Sequence, residues 1–296
     1  MNPWLTAIRL RTLPLALSSI GMGGFLAAHA GKFSWPIFLL CCLTTIFLQV
    51  LSNLANDYGD SVNGADHAGR KGPQRAVQSG AISLQQMKRA VVMLSVMSLG
   101  SGIALLWMAL EWNLREFLFF LGLGVLCILA AIAYTVGKKP YGYAGLGDIS
   151  VLIFFGLVGV LGSTYLMTKT FLWMDVLPAL SCGLFSVAVL NINNIRDIES
   201  DKAAGKFSVP VRIGKQKASI YHGYLLIAGT LTSFLYVIMN YQSAWQFLFL
   251  IVFPLIVKII TAVQNEPSEK LDPWLKRMAL TTLAFVVLFG VGLLAS

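Results

Sequence analysis

The chain has 296 residues, 57% hydrophobic and 12% charged, with a formal net charge of +9 and a mean hydropathy of +0.74. Soluble domains carry about 25% charged residues, so this composition excludes an ordinary soluble domain and defines a membrane protein. The apolar runs are too long and too continuous for the alternation of a transmembrane barrel, and the length suits a single domain over 1–296.

In chain order, nine apolar segments can each cross about 30 Å of hydrocarbon: 13–29, 37–57, 87–110, 117–135, 147–167, 176–194, 219–239, 245–262 and 276–295. The expected fold class is therefore all-α and polytopic. The first span follows Arg9 and Arg11 and leads at once into a second, which fits a retained helix rather than a cleaved leader. Lys and Arg prefer cytoplasmic loops. With the N-terminus in the cytoplasm, 19 of the 22 basic residues fall on that side, and only Lys32, Arg115 and Lys169 fall outside. This basic face reads as topology and attraction to an anionic lipid bilayer, with no nucleic-acid partner. Ten of the 13 acids lie on the same side, which topology alone does not explain.

The four cysteines, Cys41, Cys42, Cys127 and Cys182, fall within spans and read as small packing residues. His29, His67 and His222 are scattered and form no metal cluster. Two long loops are expected on the cytoplasmic side, 58–86 and 195–218, both rich in glycine and basic residues.

Each long loop follows a polar motif. "NLANDYGDSVNGAD" (53–66) ends the second span, and "NINNIRDIESDKAAGK" (191–206) ends the sixth. Asn53 and Asp57 recur as Asn193 and Asp197 at an offset of 140 residues. Four spans lie between, so the copies point the same way. This predicts a parallel duplication, about 1–140 and 141–265, plus a ninth helix. Such repeats place shared sites at their interface.

On a helix, Asn193, Asp197 and Asp201 form one stripe at i, i+4 and i+8, with Arg196 and Glu199 pointing elsewhere. Asn53, Asp57 and Asp60 form another, with Asn56 beside Asp60. Stacked carboxylates repel unless a cation lies between them. Oxygen donors without His or Cys suit Mg²⁺ or Ca²⁺ rather than zinc. Mg²⁺ uses one or two carboxylates and binds substrate phosphates, so the facing stripes point to a magnesium–diphosphate site. Polar groups at membrane depth are costly and usually functional.

The cytoplasmic cations Arg70, Lys71, Arg75, Lys138, Lys139, Arg196, Lys202, Lys206 and Arg212 would hold the remaining phosphate charge. Two stand out: Arg196 lies within the motif, and Lys138 ends "YTVGK" one helical turn after Tyr134. Arg70 and Lys71 are further diphosphate candidates. Asp66, Asn194 and Asp148 complete the polar candidates, Asp148 doubling as a helix cap. A diphosphate at the membrane edge, above helices rich in Phe, Leu, Ile and Met, points to a lipid diphosphate.

"NDYGD", "NNIRDIESD" and "YTVGKK" resemble the two aspartate-rich motifs and the Tyr-x-x-x-Lys segment of the UbiA-type intramembrane prenyltransferases. "TLPLALSSI" and "YTVGKKPYGYAGLGDISV" are similar to the branch acting on 1,4-dihydroxy-2-naphthoate in menaquinone synthesis. The resemblance implies nine transmembrane helices around a central cavity, Mg²⁺, and an all-trans polyprenyl diphosphate donor. It implies that Asn53, Asn56, Asp57, Asp60, Asn193, Asp197 and Asp201 bind Mg²⁺–diphosphate, with Lys138, Arg196 and Tyr134 assisting. Position 64 departs from the family pattern, being Gly where the motif carries Asp. Position 193 is Asn where many relatives carry Asp. The carboxylate of a naphthoate acceptor needs a cation, Arg9 or Arg11. The alternatives are another aromatic acceptor (4-hydroxybenzoate or homogentisate) and a cation-coupled transporter. The Asp-Gly-x-x-Ala-Arg signature of CDP-alcohol phosphotransferases is absent.

Overall fold

A computed structural model describes residues 2–64, 75–111 and 113–296. Among the described residues, nine helices are long and apolar enough to cross a membrane. They are α1 (Pro3–His29), α2 (Trp35–Val62), α3 (Leu84–Leu110), α4 (Leu114–Ala133), α5 (Gly147–Thr168), α6 (Trp173–Arg196), α7 (Val209–Met239), α8 (Ala244–Asn265) and α9 (Asp272–Leu294). Backbone polar groups must be satisfied within each segment in lipid, and helices achieve this.

Helix starts follow local chemistry. Pro stands in the first turn of α1, α2, α7 and α9, where a missing N–H costs nothing. Ser83 and Gln86 form a capping box at α3, and Asn113 caps α4. All nine spans are longer than the hydropathy predicts, and α1, α2 and α7 are so by the most. Arg9 and Arg11 hide the start of α1 from an apolar count, the basic residues Arg212, Lys215 and Lys217 hide that of α7, and α2 continues through its polar motif to Val62. The 195–218 segment, expected as a loop, is mostly helical: Ile198–Ala203 forms a short helix, and α7 begins at Val209.

α6 is the most deeply buried of the nine, and α4 carries no buried residue. Phe185 of α6 meets Phe285 of α9 edge-on at 4.6 Å, and Phe249 of α8 meets Phe285 at 5.2 Å. α5 approaches α6 at Gly156 and Gly183, where a Cβ on Gly156 would lie 2.8 Å from the Ala179 carbonyl oxygen. There α5 widens into a π-helical stretch, Leu152–Leu161.

Between the helices lies a cavity of about 380 Å³. Its inner walls are apolar, with Leu15, Ile20, Leu106, Phe120, Phe154 and Leu166 among them. One end is polar, with Asn53, Asn56, Asp60, Arg75 and Lys206.

Candidate active site

The polar end is built where α2 and α6 finish. Asn53, Asp57 and Asp60 all lie on α2, since that helix runs past them. Gly59 sits between them because the backbone at Thr135 is too close for a side chain: a Cβ would lie 2.6 Å from the Thr135 carbonyl. The Thr135 hydroxyl donates to the Ala55 carbonyl at 3.0 Å, and Asn63 donates to the Thr135 carbonyl at 2.7 Å. These contacts fasten the 134–146 loop to the first motif.

Each motif carboxylate faces a cation. Arg9 donates to Asp57, and Arg75 Nε lies 3.6 Å from the same oxygen. Arg75 Nη1 donates to Asp60 Oδ2 at 2.6 Å, and the Tyr143 hydroxyl donates to Asp60 Oδ1 at 2.8 Å. Arg196 Nε and Nη2 grip Asp197 at 2.9 and 2.7 Å, and Nη2 also donates to Asn193 Oδ1 at 2.9 Å. Lys206 Nζ lies 3.4 Å from Asp201 Oδ1. Asn53 donates to the Ile8 carbonyl at 2.8 Å, holding α1 against the motif. α1 breaks just beyond, where Arg9 has φ +54. Asn56 accepts from the Thr135 hydroxyl at 3.3 Å.

The expected stripe on α6 is therefore bent. Asp197 ends α6 and opens the short helix, with φ −98 and ψ 11. The Asp201 N–H still donates to the Asp197 carbonyl at 2.8 Å. Arg196 does not point away from the stripe as helical geometry implied. The break at Asp197 lets its guanidinium fold back onto its neighbour's carboxylate.

Burial tunes the groups on the loop side of the site. It pushes the Asp201 carboxyl up to about 6; Lys206 pulls against this, while Asp197 and Asp60 add to it. Burial disfavours the Lys206 charge, but Asp201 and Asp60 win and hold its pKa above the ordinary lysine value. Burial also pushes the Tyr134 phenol up to about 12.

The cavity wall takes in Arg9, Asn53, Asn56, Asp60, Arg75, Tyr134, Asn193, Asn194 and Lys206. Lys138 does not line it. Gly137 has φ +117, which turns the chain outward and leaves Lys138 exposed. Arg11 lies outside the lining too, paired with Asp272 at 2.7 Å. Asp148, at the start of α5, accepts from Tyr221 at 2.9 Å and is also outside it. Asp66, Arg70 and Lys71 lie outside the described residues. Sequence reasoning named Arg75 and Lys206 only among nine cytoplasmic cations, and did not name Tyr143 or Asp272. The one available signal was Lys206 itself, five residues past Asp201 in "DKAAGK".

The donor set fits a hard divalent cation shared with a phosphate ligand. It is all oxygen. Asp201 Oδ2 and Asn194 Oδ1 are buried without a hydrogen-bond partner, as donors awaiting a ligand would be. Among the described residues no three His, Cys, Asp or Glu side chains converge on one point.

A nine-helix bundle with paired Asn/Asp motifs and cations at the polar mouth of an apolar cavity defines a class of protein: an intramembrane enzyme handling an amphiphilic anion. The chain belongs to the UbiA prenyltransferase family, whose model matches residues 16–288. A Haemophilus influenzae protein named 1,4-dihydroxy-2-naphthoate octaprenyltransferase is 46% identical, over 99% of this chain and 96% of its own. An Escherichia coli protein of the same name is also 46% identical, over 99% and 95%. Among solved structures, a UbiA homolog from Aeropyrum pernix K1 is similar with a TM-score of 0.69 at 18% identity, covering 97% of this chain and 98% of that one. A UbiA homolog from Archaeoglobus fulgidus, bound to GPP and Mg²⁺, is similar with a TM-score of 0.60 at 15% identity, covering 99% and 100%.

Proposed function

We propose that this chain transfers an all-trans polyprenyl group from polyprenyl diphosphate to 1,4-dihydroxy-2-naphthoate, releasing diphosphate and CO₂, to give demethylmenaquinol. The relatives named for this acceptor, matched over nearly their whole length, support it. The reaction would take place at the cytoplasmic face of a bacterial inner membrane, the side to which the basic residues assign the motifs. The observation that carries the reading is that Asn53, Asn56 and Asp60 of the first motif and Asn193 and Asn194 of the second line the polar mouth of one apolar cavity together with Arg75 and Lys206, while Asp57, Asp197 and Asp201 lie outside that lining.

Asn53, Asp57, Asp60, Asn193, Asp197 and Asp201 would hold Mg²⁺, which supplies charge neutralisation of the diphosphate leaving group. Arg75 and Lys206 are placed to hold diphosphate oxygens, as charge-assisted donors lining the cavity. Arg9 lines the cavity and Arg11 does not, so Arg9 takes the acceptor carboxylate in preference to Arg11. Phe154, Val158 and Leu166 surround the prenyl chain and exclude water from the reacting allylic carbon. The ring carbon bearing the carboxylate forms the new C–C bond, the allylic C–O pair leaves with diphosphate, and CO₂ departs, returning its electron pair to the ring. Positioning and electrostatics dominate.

The test is Asp57→Asn and Asp197→Asn. Both should lose Mg²⁺-dependent prenyl transfer while still inserting and purifying as the wild type does. Near-normal turnover in either one refutes the assignment.

A further inference from the structure

Asp272 opens α9, and its carboxylate lies between two guanidiniums from other helices. Arg11 of α1 donates to Oδ2 at 2.7 Å, and Arg196 of α6 donates to Oδ1 through Nη1. The opposite edge of Arg196 is spent on Asp197 and Asn193. The Arg196 side chain is 2% exposed and that of Asp272 is 32% exposed. Asp272 is absent from the cavity lining, as are Arg11 and Arg196. Its link to the second motif runs through Arg196.

A guanidinium is a rigid planar fork with five donors. Buried as Arg196 is, it turns only by leaving N–H groups unpaired, which is costly. Asp272 takes the edge that Asp197 does not, so it fixes the plane in which Arg196 meets Asp197 and Asn193. Arg11 occupies its other oxygen and keeps that carboxylate from swinging away. Outer partners that orient a ligand side chain typically alter metal affinity by roughly 10–100-fold when removed.

We propose that Asp272 is a positioning residue of the second motif, holding Arg196, and through it Asp197 and Asn193, in the orientation that receives Mg²⁺–diphosphate. This rests on the functional reading above. It differs from a mere clip between α1, α6 and α9, because a clip would serve both substrates alike.

The test uses the full-length chain in detergent, comparing wild type, Asp272→Asn and Asp272→Glu. The first readout is thermal stabilisation by Mg²⁺ titrated with inorganic diphosphate, which needs no turnover. The second is KM for polyprenyl diphosphate against KM for the aromatic acceptor. Asp272→Asn should raise the Mg²⁺ half-point and the diphosphate KM by about 10–100-fold and leave the acceptor KM unmoved. Asp272→Glu should restore most of both. A wild-type half-point in Asp272→Asn overturns the proposal, as does an equal loss toward both substrates that Asp272→Glu does not repair. Should Asp272→Asn not survive extraction, Arg11→Gln carries the test. A several-fold rise in the same half-point is expected there, and no rise overturns the proposal. A wild-type chain that Mg²⁺ and diphosphate leave unstabilised overturns the functional reading itself, and the role of Asp272 with it.

Discussion

Lys206→Met removes a buried cation at the centre of the site while keeping the length and apolar stem of the side chain. Lys206 is 6% exposed, lines the cavity, and lies 3.4 Å from Asp201. At that distance, with an effective dielectric of about 20, one unit pair is worth roughly 5 kcal/mol. Removing one partner of a buried pair costs about 3–5 kcal/mol. At about 1.4 kcal/mol per decade, kcat/KM for polyprenyl diphosphate should fall roughly 100- to 4000-fold. The variant also moves a titration. Asp201 ionises at about 6, and Lys206 is the group that pulls this value down. Mg²⁺-dependent activity in the wild type should therefore fall as pH drops through about 6, when Asp201 takes up a proton. In Lys206→Met that acid limb should move to higher pH. The stability sign is opposite. The folded value lies above the ordinary aspartate value of 3.8, so ionised Asp201 destabilises the ligand-free fold above that value, and the cost is relieved as pH falls. Lost activity near pH 5.5 should thus appear without a matching fall in melting temperature from this group. Prenyl-transfer kinetics across pH, with melts alongside, are the assay. A near-wild-type kcat/KM with an unmoved acid limb would refute the reasoning.

Other consequences follow from single contacts. Tyr143→Phe deletes the 2.8 Å donor to Asp60; a hydrogen bond to a charged group is worth about 1.5–3 kcal/mol, so kcat/KM should drop on the order of 10- to 100-fold with little change in melting temperature. Gly59→Ala places a methyl 2.6 Å from the Thr135 backbone. It should push α2 away from the 134–146 loop and lower both melting temperature and activity, which a melt and a rate assay would check together. Chelation of Mg²⁺ should abolish turnover reversibly, with activity returning on adding Mg²⁺ back.

The nine spans were legible because each is a continuous apolar run, and hydropathy alone marks such runs. Their ends were less so. Polar residues such as Asp57 and Asp60 continue α2 as a helix, and the Pro210 turn starts α7 well before its apolar stretch. The two Asn/Asp motifs were legible from spacing, because i and i+4 on a helix share a face. Which of the nearby cations meets which carboxylate was not. Arg75 and Lys206 reach the site from irregular segments, where no periodicity links position to direction. Lys138 shows the converse: one turn after Tyr134 by count, it is carried outward by the positive φ at Gly137. Arg196 was misdirected by assuming an unbroken helix through Asp197. Asp272, 75 residues beyond Asp197, joins the network only through the tertiary packing of α9 against α1 and α6.

The central claim is tested most directly by a product assay on the purified chain with a polyprenyl diphosphate, Mg²⁺ and 1,4-dihydroxy-2-naphthoate, following CO₂ release and the mass of the extracted lipid. A Mg²⁺-dependent, prenylated and decarboxylated naphthoquinone is the expected result. No such product, with 4-hydroxybenzoate or homogentisate prenylated instead under the same conditions, would contradict the claim.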